Sequence, residues 1–456
     1  MSRVDVDPVG TEPPERQEVA APGEVADDTQ AAEAAAVVVV PPALIAESLG
    51  GYLRAWLVRI RSGDSGVLPV VLGLVIIAIV FQAISPNHVF LHADNIVNLF
   101  QQSAVFMVIS MAEIVVLLLG EIDLSLGFLA AVGGVIAIQF VEPVTRGWPW
   151  WSAIIIALAS CGILGAAQGT LISRLRLPSF IVTLAGLLIF QGMMLRLLLL
   201  GPFSGYPTLV GDDNNLVMMH NLMWANLDPT VSWFLMVGVV LGLGGLFWFR
   251  DARRRRSGLV APPASLTLIK IAMIAIAGVV VVLICNVNRS VGTPEINGVP
   301  WFILIVLAVL VFWTVLLEMT RFGRYIYAIG GNAEAARRAG INLSSIRTWA
   351  FALCAMTGAL GGILYMSSQN GMSNNFNGGQ VVLYAVAAAV IGGTSLFGGR
   401  GRAIHGVLGG LVIGGIYNGM FLLSLDTHWQ YIVTGTVLLV AVMIDALSRR
   451  AATAGR

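Results

Sequence analysis

The chain has 456 residues, 57% of them hydrophobic and only 11% charged, where a soluble domain carries about 25% charged residues. With a net charge of +1 and a mean hydropathy of +0.85, a soluble enzyme is excluded, and bulk charge offers nothing to a nucleic acid. Cys161, Cys285 and Cys354 lie inside apolar runs and the five histidines show no ligand spacing, so neither a disulfide framework nor a metal site is expected.

Residues 1–42 are rich in Ala, Pro, Glu and Asp and lack the basic start and apolar core of a signal peptide. They read as a disordered acidic cytoplasmic tail. Over residues 43–66, Leu53, Trp56, Leu57 and Ile60 alternate with Arg54, Arg59 and Arg61, the pattern of an amphipathic segment lying in the membrane interface. A plain juxtamembrane stretch fits equally.

From residue 67 to 450 the chain is a transmembrane domain. A membrane helix needs about 20 apolar residues. Spans are expected near 67–85, 98–119, 125–141, 152–171, 179–199, 232–249, 267–285, 300–317, 349–368, 380–396, 404–422 and 429–446. The fold class is an all-α polytopic membrane protein of about 12 helices, with the third and tenth short, Gly-rich and open to being broken or re-entrant. Alternate loops hold Arg174 and Arg176; Arg250 and Arg253 to Arg256; Arg321, Arg324, Arg337, Arg338 and Arg347; Arg400 and Arg402; and Arg449 and Arg450. The opposite loops hold mostly acids, among them Asp94, Glu142, Asp212, Asp213, Asp228, Glu295 and Asp426. The positive-inside bias then sets both termini in the cytoplasm.

Polar residues inside or beside the spans are the candidates for a substrate pathway. Glu113 lies within the second span, where a carboxylate has to face the bundle interior or a cavity. Glu121 and Asp123 sit in the break between the second and third spans; Asp123 is placed to cap the helix starting near Ser125, whereas Glu121 is harder to explain as a cap. Phe180 and Thr183 open the fifth span after Pro178, where a ring facing a solute path and ordinary helix packing are both open. Asn418, Gln430 and Tyr431 add polar groups to the last two spans. Gly406, Gly410, Gly414, Gly415 and Gly419 recur every few residues, as a close helix–helix face requires. The outer segment Pro202–Thr230 reads as a long loop with an interfacial helix, able to meet a partner outside the membrane.

Residues 320–347 form a polar loop between two apolar runs. Asn332 is placed to cap a short helix over Ala333–Ala339, with Glu334 in its first turn, Arg337 and Arg338 in its last, and Gly340 ending it. Lys270 is the one lysine and follows Ile269, so the chain holds no GxxxxGK[ST] phosphate loop. Any ATP hydrolysis belongs to another polypeptide.

Glu334-Ala335-Ala336, then three residues, then Gly340 resemble the EAA-x-x-x-G loop of the permeases of ABC importers. GEIDLSLG (Gly120–Gly127), PSFIVTLAG (Pro178–Gly186), GRYIYAIGGNAEAARRAGI (Gly323–Ile341), VIGGTSLFGG (Val390–Gly399) and WQYIVTGTVLLVAV (Trp429–Val442) are similar to the monosaccharide (ribose and xylose) branch. Glu121 and the basic loop Arg250–Arg256 resemble the xylose type most. The resemblance implies a multi-pass plasma or inner-membrane permease for xylose or a similar pentose, with no catalytic residues, metal or cofactor of its own. It implies a cytoplasmic ATP-binding subunit docked on Asn332, Glu334, Ala335, Ala336, Arg337, Arg338 and Gly340. It also implies an extracytoplasmic sugar-binding protein and a second permease copy, in lipid and without nucleic acid. The rival reading is an ion-gradient-driven secondary transporter with Glu113 or Glu121 as proton carrier; a non-transporting scaffold explains less.

Overall fold

A computed structural model describes residues 68–200, 206–258, 262–290, 292–426 and 428–437, with 51, 439, 440 and 443. The expected acidic tail (1–42), nearly all of the interfacial segment (43–66) and the end of the last span lie outside these residues.

Every expected span up to 404–422 has its helix. In chain order these are α1 (Leu68–Ile84), α2 (Ala93–Leu118), α3 (Leu126–Val141), α4 (Trp150–Leu175) and α5 (Ser179–Leu198). A short α6 (Asn214–Trp224) precedes α7 (Pro229–Arg256), α8 (Ala264–Asn286) and α9 (Trp301–Met319). The polar loop contributes α10 (Arg321–Gly331) and α11 (Ala333–Arg338), followed by α12 (Leu343–Ser368), α13 (Gly378–Ile391) and α14 (Ala403–Leu422). Among the described residues 8 helices are long and apolar enough to cross a membrane, and α1, α3 and α13 are shorter apolar helices. At 1.5 Å per residue, the 14 residues of α13 span roughly 21 Å of a hydrocarbon core about 30 Å thick. It ends at Gly392 and Gly393, the latter at φ +109°. Of the expected last span (429–446), the described residues 429–437, 439, 440 and 443 are helical.

Several boundaries differ from expectation: α12 starts at Leu343, six residues early, where Asn342 caps it, and α13 ends at Ile391, five residues early, at the Gly392–Gly393 pair. α7 runs on to Arg256, seven residues past the expected end, because arginine is a good helix former and a cation is favoured in a last turn. α2 starts at Ala93, its polar first turns being accommodated by the buried Asn95.

The core is built around α2 and α12, the two spans most enclosed by protein. α4 and α3 pack on α12, α14 and α13 pack on α2, and α1 lies outside α14. The glycine spacing of α14 does what it predicts. A Cβ at Gly406, Gly410 or Gly414 would meet Met111, Met107 or Ser103 of α2 within 3 Å, so one four-residue row seats one helix on the other. Gly410→Val is therefore expected to lower the melting temperature in detergent by several degrees. Gly238→Val on α7, with nothing within 4 Å of the new Cβ, is expected to leave it unchanged.

The ends of the helices are tied by polar contacts. Asn95 of α2 and Asn418 of α14 exchange amide hydrogen bonds at 3.0 and 3.1 Å, fully enclosed. The stretch between α5 and α7 forms the expected helix as α6, with Asp213 accepting from Asn215 N–H at 2.8 Å. It is pinned on the end of α12, where the Trp224 indole donates to Ser367 O (3.1 Å) and His220 Nδ1 meets Asn370 Oδ1 (2.6 Å).

Candidate functional site

The polar loop folds as two helices where one short helix is expected. α11 forms as its signals require: Asn332 Oδ1 accepts from Ala335 N–H at 3.0 Å, and Gly340, at φ +83°, ends it. Asn342 caps α12 in the same way by accepting from Ser345 N–H at 3.1 Å. On α11 only Ala336 is buried; Ala335, Glu334, Arg337 and Arg338 face water. Both Glu334 oxygens are taken, by Arg337 Nη2 (2.8 Å) and Nε (3.0 Å) and by Arg338 Nε (3.1 Å). The Arg337 and then the Arg338 hydrogen bonds hold its carboxyl below the usual range. The exposed surface of α11 is thus a preformed ion triad on a peg whose root is Ala336.

α10 was not legible as a helix. Its signal is an apolar row at Phe322, Ile326 and Ile329 after the capping hydroxyl of Thr320, obscured by three glycines. Thr320 Oγ1 accepts from Gly323 N–H at 3.2 Å, and Ile326 and Ile329 are buried in the main core. Gly330, at the end of α10, lies on the end of α2. A Cβ there would come within 1.8 Å of Leu118 O and 2.6 Å of Gly399 N. Gly399 N–H itself donates to Leu118 O at 2.9 Å, and the Tyr327 hydroxyl donates to Gly401 O at 2.8 Å. Three backbone segments, from α2, from α10 and from the turn between α13 and α14, therefore meet without side chains between them.

The break between α2 and α3 packs against the same end. Gly120, at φ +76°, turns the chain back, and Glu121 Oε1 pairs with Arg347 Nη2 of α12 at 3.2 Å. Asp123 N–H donates to Glu113 Oε1 at 3.0 Å, and Asp123 Oδ1 accepts from Ser125 N–H (3.0 Å) and Oγ (2.5 Å). Asp123 thus closes the turn ahead of α3 through Ser125, the residue at the helix's N-cap, whose own side chain makes no capping bond. Ser125 Oγ also lies 3.1 Å from Gln168 Oε1 of α4, and the Thr183 hydroxyl of α5 donates to Ile122 O at 3.2 Å. Glu113, Asp123 and Thr183 are fully buried, and Glu113 Oε2, Asp123 Oδ2 and Gln168 Nε2 have no hydrogen-bond partner among the described residues.

The pathway candidates therefore separate. Glu113, Asp123 and Thr183 come together in one enclosed network, with Glu121 at its rim. Asn418 is spent on Asn95 at the other end of the bundle, and Phe180 is 56% exposed on the outside of α5. An aromatic and amide cluster that no local pattern marks lies between α2, α13 and α14. Phe106 packs edge-on to Tyr384 and Tyr417, with centroids 5.6 and 6.5 Å away. Gln380 donates to the Tyr384 hydroxyl (2.7 Å) and accepts from the Tyr431 hydroxyl (3.1 Å).

Comparison with known proteins gives the same direction. The family model described as the permease component of branched-chain amino acid transport systems matches residues 95–442. The xylose transport system permease protein XylH of Escherichia coli (strain K12) is 33% identical over 382 residues, covering 84% of this chain and 92% of that protein. XylH of Haemophilus influenzae (strain ATCC 51907 / DSM 11121 / KW20 / Rd) is 32% identical over 395 residues, covering 84% and 97%. The ribose import permease protein RbsC of Escherichia coli (strain K12) is 28% identical over 394 residues, covering 86% and 95%. No solved structure matches the chain.

Proposed function

Given that the chain belongs to the permease components of ABC importers, in the branch that holds xylose and ribose permeases, we propose that it carries xylose or a similar pentose into the cytoplasm. It is a multi-pass inner-membrane transporter subunit of an ABC monosaccharide importer. In this reading an ATP-binding subunit receives α11 on its exposed Glu334, Arg337 and Arg338. Asn332 and Gly340 set the ends of the docking helix, and Ala335 and Ala336 give it a narrow profile. An extracytoplasmic sugar-binding protein meets the face carrying α6, and two copies of the chain enclose the path.

The observation that carries the reading is the position of Gly330. α11 follows α10 directly, and α10 ends in backbone contact with both Leu118 and Gly399. A push on α11 is then delivered to the ends of α2 and of the α13–α14 turn, with no flexible side chain to absorb it. On the outer side, Phe106, Tyr384 and Tyr417 offer ring faces beside the amide of Gln380. Apolar rings with a few placed hydrogen-bonding groups are what a sugar site needs.

The test is uptake of labelled xylose by cells expressing the chain with its ATP-binding and sugar-binding partners, leucine serving as a control substrate. Depleting ATP at intact membrane potential is expected to stop xylose uptake, and collapsing the proton gradient with ATP maintained is expected to spare it. The reverse result favours the ion-gradient reading, for which the buried Glu113 and Asp123 are the structural argument.

A further inference from the structure

The geometry points to a binding site for one anionic phospholipid in the wedge between α7 and α9, its phosphate held by Arg253 and Arg254 and an acyl chain lying in the gap. This inference stands apart from the transport reading and holds whichever solute is carried.

The wedge follows from how the α7–α8 hairpin is attached. At one end it is fixed to the rest of the protein. Leu227 N–H donates to Val299 O at 2.9 Å, Val299 N–H to Ser232 Oγ at 3.0 Å, and Arg289 Nη2 to Asn226 Oδ1 at 2.8 Å. Val97 of α2 joins Val282, Cys285 and Val299 in a small apolar cluster at that end. Among the described residues, α7 packs most closely against α8. A cavity of about 790 Å³ opens between α7 and α9, within the range of roughly 300–1,000 Å³ that takes a whole ligand. Its walls are apolar, from Leu243 and Phe247 of α7 and Leu307, Val311 and Val315 of α9, and Ile404 closes the far side.

The mouth is basic. Arg250, Arg253 and Arg254 line it. Arg250 is partly neutralised by Asp251 at 3.6 Å and leans over the Phe247 ring. Arg253 and Arg254 are exposed and make no ion pair among the described residues. The nearby acids are occupied: Asp251 is buried with Oδ2 accepting from Thr267 Oγ1 of α8 at 3.0 Å, and Glu318 of α9 pairs with Arg402 at 3.7 Å. Arg255 is committed to Pro262 O (2.8 Å) and the Trp248 ring. An apolar slot open to the hydrocarbon with two free guanidinium groups at headgroup level fits a lipid with a negative phosphate. The charge also argues against residues 43–61 of the same chain as occupant, since Arg54, Arg59 and Arg61 would meet like charge.

The test is native mass spectrometry of the purified full-length chain with dioleoylphosphatidylglycerol and, separately, dioleoylphosphatidylcholine. The wild type is expected to retain one phosphatidylglycerol with at least tenfold preference. Near a surface each arginine is worth roughly fivefold in anionic-lipid binding, so Arg253→Gln with Arg254→Gln should reduce retention about twentyfold or more. Val311→Trp, which fills the slot and keeps both arginines, should reduce it as well. A melting curve of each variant confirms that it is folded. Equal retention by the double variant, or equal retention of the two lipids, overturns the proposal. So does displacement by 20 mM inorganic phosphate, which marks a free-anion site. A wild-type dimer that holds no lipid and that Val311→Trp dissociates makes the slot a contact between copies, and overturns it too.

Discussion

Replacing Gly330 with valine is expected to abolish ATP-coupled uptake in a chain that still inserts. The new Cβ would fall 1.8 Å from Leu118 O and 2.6 Å from Gly399 N, and both obstacles are backbone. Overpacking costs about 1–3 kcal/mol where side chains can move aside. Here α10 has to lift off, break the 2.9 Å bond between Gly399 N–H and Leu118 O, or both. Gly331→Ala, one residue on, is the control, because nothing lies within 4 Å of its added Cβ. Uptake should fall at least tenfold for the first variant and stay near wild type for the second, with similar amounts of both chains in the membrane. Equal uptake by the two variants would remove Gly330 from the coupling route.

Glu113 supports a second prediction, in which two substitutions diverge. Glu113→Ala removes the acceptor of the Asp123 N–H and empties the space of the side chain. An orphaned buried N–H costs about 1–3 kcal/mol, and lost packing adds about 0.8 kcal/mol per methylene. The variant should melt several degrees lower and transport little. Glu113→Gln keeps a carbonyl at the same place and brings an amide that can donate toward the unpartnered Asp123 Oδ2. It should melt close to wild type and retain ATP-driven uptake. Thermal melting of the two variants and xylose uptake at fixed ATP provide the check. Loss of uptake in a well-folded Glu113→Gln chain would make the carboxylate itself necessary, as a proton-carrying role demands.

What the sequence could and could not reveal follows from the range of the interactions. α11 was legible because its cap, charges and terminating glycine lie within nine residues, and those signals act locally. The α14 face was legible because a four-residue glycine row means close approach whatever the partner. α10 was hidden because Gly323, Gly330 and Gly331 disfavour a helix in isolation, and burial of Ile326 and Ile329 outweighs that preference. The meeting of Glu113 with Asp123 depends on the chain reversing at Gly120, which no spacing discloses. Phe106, Tyr384 and Tyr417 were missed for the same reason: each looks like an ordinary apolar-span residue until three helices bring them together.

The contact of Leu118, Gly330 and Gly399 also bears on how the protein is made. These residues come from the first, the last and the intervening parts of the transmembrane domain, and chains emerge N-terminus first. α10 and α11 leave the ribosome before the Gly398–Gly399 turn that completes their seat. Until α13 and α14 have entered the bilayer, α10 rests on an unfinished platform. An unfinished or misinserted chain therefore lacks a firm support for α10 and α11, and in the proposed function the surface that α11 offers an ATP-binding subunit would form only once synthesis has run through to the C-terminal helices. On the proposed docking of α11, assembly of the complex would then be tied to completion of the polypeptide.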